Sequence, residues 1–385
     1  MMKLEFKLAF KNLFGAKLRT LLNVFVLSFS FVIIIFLNSI MDGWDQQAQK
    51  DSVEWEYGEG HLLHNDYDPL DSYTILDGHG EIPQRRIGMT PVLERQASVY
   101  PQGRMIGVVL KGIPADQKIL KLPTKKLNQN KDEFPVIIGK RFAVSAKLKK
   151  GDRVQIRWRD KNGTYDANTI IVEEIFDSNV PNIDNGKIWI DIEKLWKMTG
   201  LENQATYFIL DQDFRKGSFD SWTYRSKTTL LKNLKDLIDQ KKASQSVIFG
   251  LLLAIALLAI FDTQILSIFR RQKEIGTYIA LGMTRLRVVR LFTIEGSVYS
   301  IMALIFGSIY GIPFFIYMSK AGFPIPPADQ KLGIAIADVI YPVYGLKLIL
   351  LTILTVIISA TVVSYLPARK IAKLNPVLAL KGKKQ

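Results

Sequence analysis

The 385-residue sequence has no cysteine and only three histidines, His61, His64 and His79. The absence of cysteine excludes disulfides, thiolate zinc sites and thiol catalysis. Histidine is the side chain that most often serves as a general acid or base, so few such residues are available here. The sequence also lacks the glycine-rich phosphate loop GxxxxGK[ST] of ATP-hydrolysing domains. We therefore predict no catalytic residues and no bound cofactor in this chain.

A metal site at His61 and His64 is not expected either. The two residues lie three positions apart in the segment from Gly60 to Asn65, which we interpret as a strand. Side chains three positions apart in a strand point to opposite faces of a sheet, so they cannot share an ion. We predict no metal ligands.

Long apolar runs dominate what the sequence does contain. Spanning ~30 Å of hydrocarbon takes about 20 mainly apolar residues in a helix, and four windows reach that length. The first window is too long for a signal peptide and has no small-residue cleavage site, which predicts an uncleaved anchor. The windows run from Leu21 to Met41, Val247 to Phe269, Gly296 to Met318 and Leu346 to Leu366.

The positive charge of the chain sits beside these windows. Residues 1–20, 270–290 and 367–385 carry net charges of +4, +5 and +6, which together account for the whole formal charge of +15. Short cytoplasmic loops are enriched in Lys and Arg. The pattern therefore places these three segments in the cytoplasm and residues 42–246 and 319–345 outside. Because topology explains the basic charge, we predict no nucleic-acid partner.

These signals predict a membrane protein with four transmembrane α-helices and a large α+β extracytoplasmic domain on helical stalks. The first segment has apolar residues among lysines, which suits an amphipathic helix lying on membrane lipids. The predicted segments are an N-terminal amphipathic helix (1–20), transmembrane helix 1 (21–41), the extracytoplasmic domain (42–246), transmembrane helix 2 (247–269), a cytoplasmic helix (270–290), transmembrane helix 3 (291–318), an extracytoplasmic loop (319–345), transmembrane helix 4 (346–366) and a cytoplasmic tail (367–385).

The outer segment has the alternation of a β-rich domain. RVQIRWR at 153–159 alternates apolar and polar residues, a turn follows at Asp160 to Gly163, and NTIIVEEIF at 168–176 predicts the returning strand. A strand at 186–192 and a short helix from Ile192 to Thr199 follow. After the first window no helix stop occurs before Tyr57, and apolar residues at helical spacing precede the second window. We therefore predict two stalk helices.

Two features within the windows suggest packing roles. Asp262 and Glu295 lie at membrane depth, but both are near basic clusters that can neutralise them. Ala303, Gly307 and Gly311 recur every fourth residue, a spacing of small residues that lets two helices approach closely. The sequence leaves open whether that partner helix belongs to the same chain or to a second subunit.

The segment between the second and third windows carries a recognisable motif. KEIG at 273–276 and ALGM at 280–283, followed by Arg290, Phe292 and Glu295, match the pattern ExxREIGxxRALGAxxxxIxxxFxxEx. AFKNLFGAKLRTLL near the start and LPARKIAKLNPVLALKG near the end resemble two further motifs of the same family. The chain thus resembles the permease subunits of the MacB/FtsX-type ABC transporter superfamily, which implies the type VII permease architecture.

Within that superfamily, the outer segment resembles the LolC/LolE lipoprotein-releasing permeases. The similar stretches are EGHLLHNDYD at 59–68, VIIGKRFAVSAKLKKGDRVQI at 136–156 and IYPVY at 340–344. LolC-type subunits carry a long proline-containing hairpin, whereas RDKNGTYDAN at 159–168 is short and has no proline. The resemblance is therefore to LolE, and capture of a periplasmic carrier stays in doubt.

This resemblance implies a cytoplasmic coupling helix that docks on an ABC ATPase dimer, which would bind the ATP and Mg. Apolar residues Ile275, Ile279 and Leu281 would enter a groove of the ATPase, and basic residues would meet acidic side chains or headgroups. The implied ATPase-coupling residues are Arg271, Glu274, Ile275, Gly276, Ile279, Leu281, Gly282, Arg285 and Arg287.

The resemblance also implies the transport route and the partners. A lipoprotein would enter from the outer leaflet of the inner membrane, between transmembrane helices 1 and 2, and leave toward the outer membrane. The second permease subunit would be identical or paralogous. Alternatives are a MacB-like efflux permease, an FtsX-like regulator of a cell-wall hydrolase, and an ATP-independent membrane sensor. The residues expected to line the lipid cavity are Val24, Leu27, Phe31 and Ile35.

Overall fold

The computed structural model describes residues 17–84, 87–128, 133–215, 217, 219–325 and 337–373. The chain divides into two compact units, each described by itself below. The helical unit takes its described residues from Met1–Gly43, Ile238–Phe323 and Tyr341–Gln385, and the β unit consists of Trp44–Leu237 and Pro324–Ile340. Most of the predicted N-terminal amphipathic helix, of the cytoplasmic tail and of the motifs at both ends lies outside the described residues.

The described residues form nine α-helices, with a π-helical turn Val53–Tyr57 and short 3-10 turns Ser72–Ile75, Pro101–Gly103, Thr124–Asn128 and Arg369–Lys373. The helices are α1 Lys17–Ser52, α2 Lys140–Ala146, α3 Pro181–Asp184, α4 Ile192–Thr199, α5 Lys227–Leu230, α6 Lys232–Arg270, α7 Gln272–Ala280, α8 Arg285–Ala321 and α9 Leu346–Ala368.

Thirteen strands are described. They are β1 Gly60–His64, β2 Gly80–Glu81, β3 Met89–Val99, β4 Ile106–Ile113, β5 Phe134–Gly139, β6 Arg153–Arg159, β7 Tyr165–Phe176, β8 Lys187–Asp191, β9 Gln204–Ala205, β10 Tyr207–Leu210, β11 Trp222–Ser226, β12 Phe323–Pro324 and β13 Val339–Ile340.

Four helices, α1, α6, α8 and α9, are long and apolar enough to cross a membrane. As the sequence predicted, each contains one of the four apolar windows. The helix of α1 continues through the π-helical turn to Tyr57, in agreement with the absence of a helix stop before that residue. Most side chains in the apolar windows of α6, α8 and α9 are not buried, Leu251 and Leu350 among them, whereas about half of those in the window of α1 are buried.

The core of the helical unit is built by all four long helices. Leu27 and Phe31 of α1, Ile260 of α6, Ala303 of α8 and Ala360 of α9 are buried in one apolar cluster. Between helices in lipid, close van der Waals packing takes over the role that the hydrophobic effect has in water. Small residues at the contacts, such as Ala303 and Ala360, permit that packing.

Three contacts hold the last residues of α1 that belong to the helical unit. A Cβ at Gly43 would overlap the backbone carbonyl oxygen of Tyr341, so only glycine allows this approach. The backbone N–H of Val343 donates to the carbonyl of Ser39 at 2.9 Å. Asp42 of α1 forms an ion pair with Lys242 of α6 at 2.9 Å. The two predicted stalk helices are therefore linked to each other where they leave the apolar windows.

The β unit is organised around a nine-stranded mixed sheet in the order β11-β1-β10-β3-β4-β8-β5-β7-β6. A further antiparallel pairing joins β3 to β6, with Ala97 opposite Trp158. That pairing closes β3, β4, β8, β5, β7 and β6 into a ring. Because β3 is long, its first half pairs with β10 and its second half with β4. This is the α+β fold that the sequence predicted for the outer segment.

Local sequence signals agree with the fold of the β unit. The predicted strands at 153–159 and 168–176 form β6 and the longer β7, and Ile192–Thr199 forms α4. The turn between β6 and β7 is held by Asp160 Oδ1, which accepts from the backbone N–H groups of Asn162 and Thr164 at 2.9 and 2.8 Å. The side chain of Asp191 caps α4 by accepting from the N–H of Glu193.

Candidate functional site

The predicted coupling residues form a short helix at one end of the helical unit. α7 follows α6 after a break at Arg271, and it ends at Leu281 and Gly282. Gly282 has a φ of +92°, a conformation that glycine adopts without strain. Thr284 then caps α8, with its hydroxyl accepting from the N–H of Arg287. The predicted cytoplasmic helix 270–290 is thus divided between the end of α6, the short helix α7 and the first turns of α8.

The inward face of α7 corrects part of the sequence prediction. Ile275 is completely buried in a cluster with Val288, Phe292, Ala368 and Ile371, and Ile279 is half-buried against it. Gly276 is buried as well. The expectation that Ile275 enters a groove of a partner is therefore wrong for this arrangement, because the side chain already packs against the chain's own helices.

The other predicted ATPase-coupling residues lie on the exposed side of the segment 270–290. Leu281 is 80% exposed, an unusual position for a leucine in water, and Leu286 is also exposed. Glu274, Gly282, Arg285 and Arg287 are exposed around it. Leu281 and Leu286 are the apolar side chains that this segment leaves open to contact with another molecule. We call this set, with Leu281 at its centre, the Leu281 surface.

Arg271 also differs from its predicted role. Its side chain is 15% exposed and bonds within the chain: Nε donates to Glu274 at 2.8 Å, and Nη1 donates to Glu295 at 2.9 Å. Its guanidinium lies 4.8 Å from the ring centre of Phe292, a cation–π distance. Glu295, which the sequence showed as an acid at membrane depth, is thus neutralised by Arg271. The two residues join the start of α7 to α8.

The environment of this ion pair contains polar groups without partners. Among the described residues, Arg271 Nη2 and both amide atoms of Gln264 are buried and make no hydrogen bond. Gly296 lies close by, where a Cβ would overlap Ser364 of α9. Buried polar groups without a hydrogen bond are energetically unfavourable.

The predicted lipid-cavity residues occupy a different place from the one expected. Val24, Leu27, Phe31 and Ile35 are all buried, and the first three belong to the core of the helical unit. A run that is apolar on all sides shows no periodicity, so the sequence did not reveal which face turns inward. Phe25, next to Val24, and Phe29, between Leu27 and Phe31, are exposed aromatic residues of α1.

The stripe of small residues on α8 contacts α1 of the same chain. A Cβ at Gly307 would lie 3.4 Å from Ser28, and one at Gly311 would lie 2.9 Å from Val32. Ala303 is completely buried in the core. The Tyr310 hydroxyl also donates to Ser28 Oγ at 3.2 Å. In this chain the stripe of small residues packs against α1 of the same subunit.

In the β unit, the two histidines of HLLH point to opposite faces of β1. The His61 ring lies 5.0 Å from that of Tyr207, and the His64 ring lies 5.2 Å from that of Trp222. Burial lowers the pKa of His61 to about 4, so this ring is neutral at physiological pH. Within the described ranges no group of three or more potential metal ligands occurs.

Comparison with known proteins now adds to this geometry. Residues 246–376 match the model of the family described as FtsX-like permease C-terminal. The macrolide export ATP-binding/permease protein MacB of Wolinella succinogenes is 24% identical over 197 residues, which cover 50% of this chain and 27% of that protein. The chain therefore spans about a quarter of the curated relative that it matches.

A solved structure, the periplasmic region of MacB from Actinobacillus actinomycetemcomitans, aligns with 46% of this chain and 93% of its own, at 8% identity and a TM-score of 0.30. The family match and the curated relative support the MacB/FtsX-type permease superfamily that the motif at 273–295 predicted. Neither distinguishes the lipoprotein-releasing branch from the others.

Proposed function

We propose that this chain is the permease subunit of an ABC transporter that works by mechanotransmission. The Leu281 surface supports this proposal most directly, since it lies inside the region that matches the FtsX-like family and it exposes a leucine among charged residues. A separate ATPase dimer would bind there and hydrolyse ATP. The protein would lie in the inner membrane, with its large domain in the periplasm.

The contacts of α7 suggest how docking at the Leu281 surface is transmitted. Ile275 is buried against residues of α8 and α9, and Arg271 is bonded to Glu295 of α8. A displacement of α7 would therefore carry α8 with it. The ion pair between Asp42 and Lys242 links α1 to α6, so these two helices would move together. Both helices continue into residues of the β unit, which would receive the motion.

The cargo that the sequence resemblance favours is a lipoprotein taken from the outer leaflet of the inner membrane. Because Val24, Leu27, Phe31 and Ile35 are buried, the contact residues that we propose are exposed apolar side chains of α1 and α6. On α1 these are Phe25 and Phe29, whose rings stack at 6.4 Å, and on α6 they are Leu251 and Ile255. A second permease subunit, identical or paralogous, would complete the lipid cavity.

In two alternatives the chain is again an ATPase-driven permease but serves another process. One is efflux, as in the MacB relative, and the other is regulation of a cell-wall hydrolase, as in FtsX-like proteins. An ATP-independent membrane sensor is an alternative of another class. Depletion of the chain distinguishes lipoprotein release from the three alternatives. Lipoproteins would accumulate in the inner membrane only if the chain releases them. A sensor would copurify with no ABC ATPase.

The docking surface is tested by one substitution with a matched control. Leu281→Asp places a charge at the centre of the Leu281 surface, and Leu70→Asp makes the same change at an exposed leucine of the β unit. We expect an ABC ATPase, identified by its phosphate loop in mass spectra, to copurify with the parent and with Leu70→Asp but not with Leu281→Asp. Equal recovery with both variants would show that docking occurs elsewhere.

A further inference from the structure

A groove on one face of the β unit has no part in the proposed transport cycle. It encloses about 510 Å³, within the size range of small-ligand sites. It lies where β3 pairs with β4 on one side and with β6 on the other, since Ser98 is opposite both Gly107 and Arg157. Ser98 and Gly107 are small, and a Cβ at Gly107 would meet no atom within 4 Å. The space above this part of the sheet is therefore open.

Two arginines stand on the β6 side of this groove. Arg157 and Arg159 are alternate residues of the strand, so their side chains point to the same face of the sheet. Tyr165 of β7 is opposite Arg159. The guanidinium carbons of Arg157 and Arg159 lie 4.1 and 5.4 Å from the centre of the Tyr165 ring, both within cation–π range. One tyrosine ring thus holds two positive charges beside each other. We call the space lined by Arg157, Arg159, Ser98 and Gly107 the arginine groove.

The positive charge of the arginine groove is not compensated by its lining. None of the described residues that line it is an aspartate or a glutamate. Within the described ranges neither arginine pairs with a carboxylate: Arg159 Nε donates to the backbone carbonyl of Gly163 at 3.1 Å, and Arg157 makes no hydrogen bond. Arg157 therefore has its N–H donors available for a ligand.

The residues that adjoin the lining in the sequence add no net charge. Asp71 and Asp160 accept hydrogen bonds from backbone N–H groups of their own turns. Asp166 follows Tyr165 on β7 and so lies on the opposite face of that strand. Glu94, further along β3, is buried and paired with Lys111 at 2.5 Å. The three adjoining acids, Asp71, Asp160 and Asp166, are equalled in number by three adjoining bases, Arg95, Arg104 and Lys187.

The number of charges indicates the kind of ligand. Two guanidinium groups match an anionic group with two charges. A phosphate monoester carries about −1.5 to −2 at pH 7 and has three acceptor oxygens, whereas a carboxylate carries a single charge. The planar guanidinium also presents paired N–H donors that fit phosphate oxygens. Met105, which is 68% exposed, and Val109 of β4 add apolar surface to the groove.

We propose that the arginine groove binds a phosphate monoester, with the phosphate group at Arg157 and Arg159 and an apolar body against Met105 and Val109. The site lies entirely within the β unit, so binding needs no ATPase and goes beyond the proposed transport function. Failure of either proposal leaves the other standing.

The test uses the full chain in an uncharged detergent and a set of defined probes. Phenyl phosphate is the aromatic phosphate monoester, phenol lacks the phosphate, benzoate carries one charge, and inorganic phosphate lacks an apolar body. We expect saturable calorimetric binding of phenyl phosphate, none of phenol, and binding of benzoate and inorganic phosphate that is at least tenfold weaker. Absence of saturable phenyl phosphate binding would overturn the proposal. Equally tight binding of benzoate or of inorganic phosphate would overturn the assignment to a phosphate monoester.

Charge variants locate the phosphate. Arg157→Met and Arg159→Met should each weaken phenyl phosphate binding roughly tenfold or more, the value of one hydrogen bond to a charged group. Arg153→Met is the matched control, because Arg153 lies on the same strand and face, is exposed, and is outside the groove. It should leave binding unchanged. Circular dichroism confirms that each variant is folded, and unchanged binding by the folded Arg157 and Arg159 variants would refute the proposal.

A second variant fills the groove without touching either arginine. Gly107→Leu places an apolar side chain in the open space above the sheet and should weaken phenyl phosphate binding at least tenfold. Gln155→Leu makes the same addition at an exposed residue of β6 outside the groove and should have little effect. Full binding by a folded Gly107→Leu would show that the arginines attract the anion outside the groove, and would overturn the assignment.

The pH supplies a readout that distinguishes a doubly charged ligand. A phosphate monoester loses one negative charge as the pH falls through about 6, whereas both arginines stay charged. The described lining residues include no histidine, aspartate or glutamate. Phenyl phosphate should therefore bind more weakly at pH 5 than at pH 7.5, while the weaker binding of benzoate should change little. An equal loss for both probes, or no loss for phenyl phosphate, would contradict the proposal.

Discussion

The ion pair between Arg271 and Glu295 is the contact whose loss we expect to have the largest effect at the start of α7. Glu295 is 5% exposed at its side chain and Arg271 15%, so neither charge is solvated by bulk water. Breaking a buried pair by removing one partner costs about 3–5 kcal/mol, because the remaining charge stays buried. We therefore expect Arg271→Met to destabilise the contact of α7 with α8 by about 3 kcal/mol.

Substitution of the partner residue, Glu295, should reduce stability less. In Glu295→Gln, Arg271 keeps its bond to Glu274, whose side chain is 55% exposed. The exposed ion pair with Glu274 contributes only about 0–1 kcal/mol to stability. It nevertheless leaves the Arg271 guanidinium with one carboxylate partner. We expect a loss of about 1–2 kcal/mol for Glu295→Gln, within the range of one hydrogen bond to a charged group. The double variant Arg271→Met with Glu295→Met should lose less than Arg271→Met alone.

Because the chain has no cysteine, a single introduced cysteine can be labelled specifically to measure how often this region opens. Tryptophan fluorescence would report the wrong unit, because all six tryptophans lie between Trp44 and Trp222. Ala368 is completely buried in the cluster around Ile275, so a single Ala368→Cys label site is protected from a water-soluble maleimide until this region opens. A loss of about 3 kcal/mol corresponds to a labelling rate about a hundredfold faster.

Arg270→Met is the matched control for this assay. Arg270 is the neighbouring arginine and its side chain is exposed, so we expect labelling within about twofold of the parent, as for most surface substitutions. If Arg271→Met labels at the same rate as Arg270→Met, the pair does not hold α7 on α8, and the transmission route proposed above loses its main contact.

Two further predictions concern buried contacts in each unit. Gly296→Ala should accelerate labelling of Ala368→Cys at least tenfold, because the new Cβ overlaps Ser364. In the control Gly250→Ala the new Cβ meets no atom within 4 Å, so the labelling rate should change little. Equal labelling rates in the two variants would contradict the close approach of α8 and α9. The pKa of His61 is lowered from 6.5 to about 4 in the fold, so stability is present above pH 6.5 and is lost as the pH falls toward 4, by about 2 kcal/mol at pH 5. Urea unfolding followed by tryptophan fluorescence at pH 7 and pH 5 should show this loss in the parent and a smaller one in His61→Gln; the same loss in both would exclude His61 as its source.

Sequence alone predicted those elements of the β unit whose signals are local. The helix α4 follows from its cap at Asp191 and the spacing of its apolar residues, and the turn after β6 follows from Asp160 and its neighbours. The opposition of Glu94 and Lys111 could not be predicted, because register between β3 and β4 depends on the whole sheet. The buried ion pair of these two residues therefore had no signature in the sequence.

In the helical unit the number of long helices was predictable and their orientation was not. A helix such as α1 is apolar around most of its circumference, so Leu27 and Phe25 look alike in the sequence, although the first is buried and the second exposed. The motif at 273–276 located α7 but not its inward face. That Ile275 packs inside and Leu281 stays outside depends on α8 and α9, which lie further along the chain.

The pairing of β3 with β6 has a consequence for how the β unit behaves at high concentration. Ring closure gives every strand from β4 to β6 two neighbours, so within the nine-stranded sheet as described only β11 presents an open edge. Open edges are where foreign strands add and where aggregates begin. This edge is five residues long and carries Arg225, a short and charged border that offers little template for intermolecular β-sheet growth.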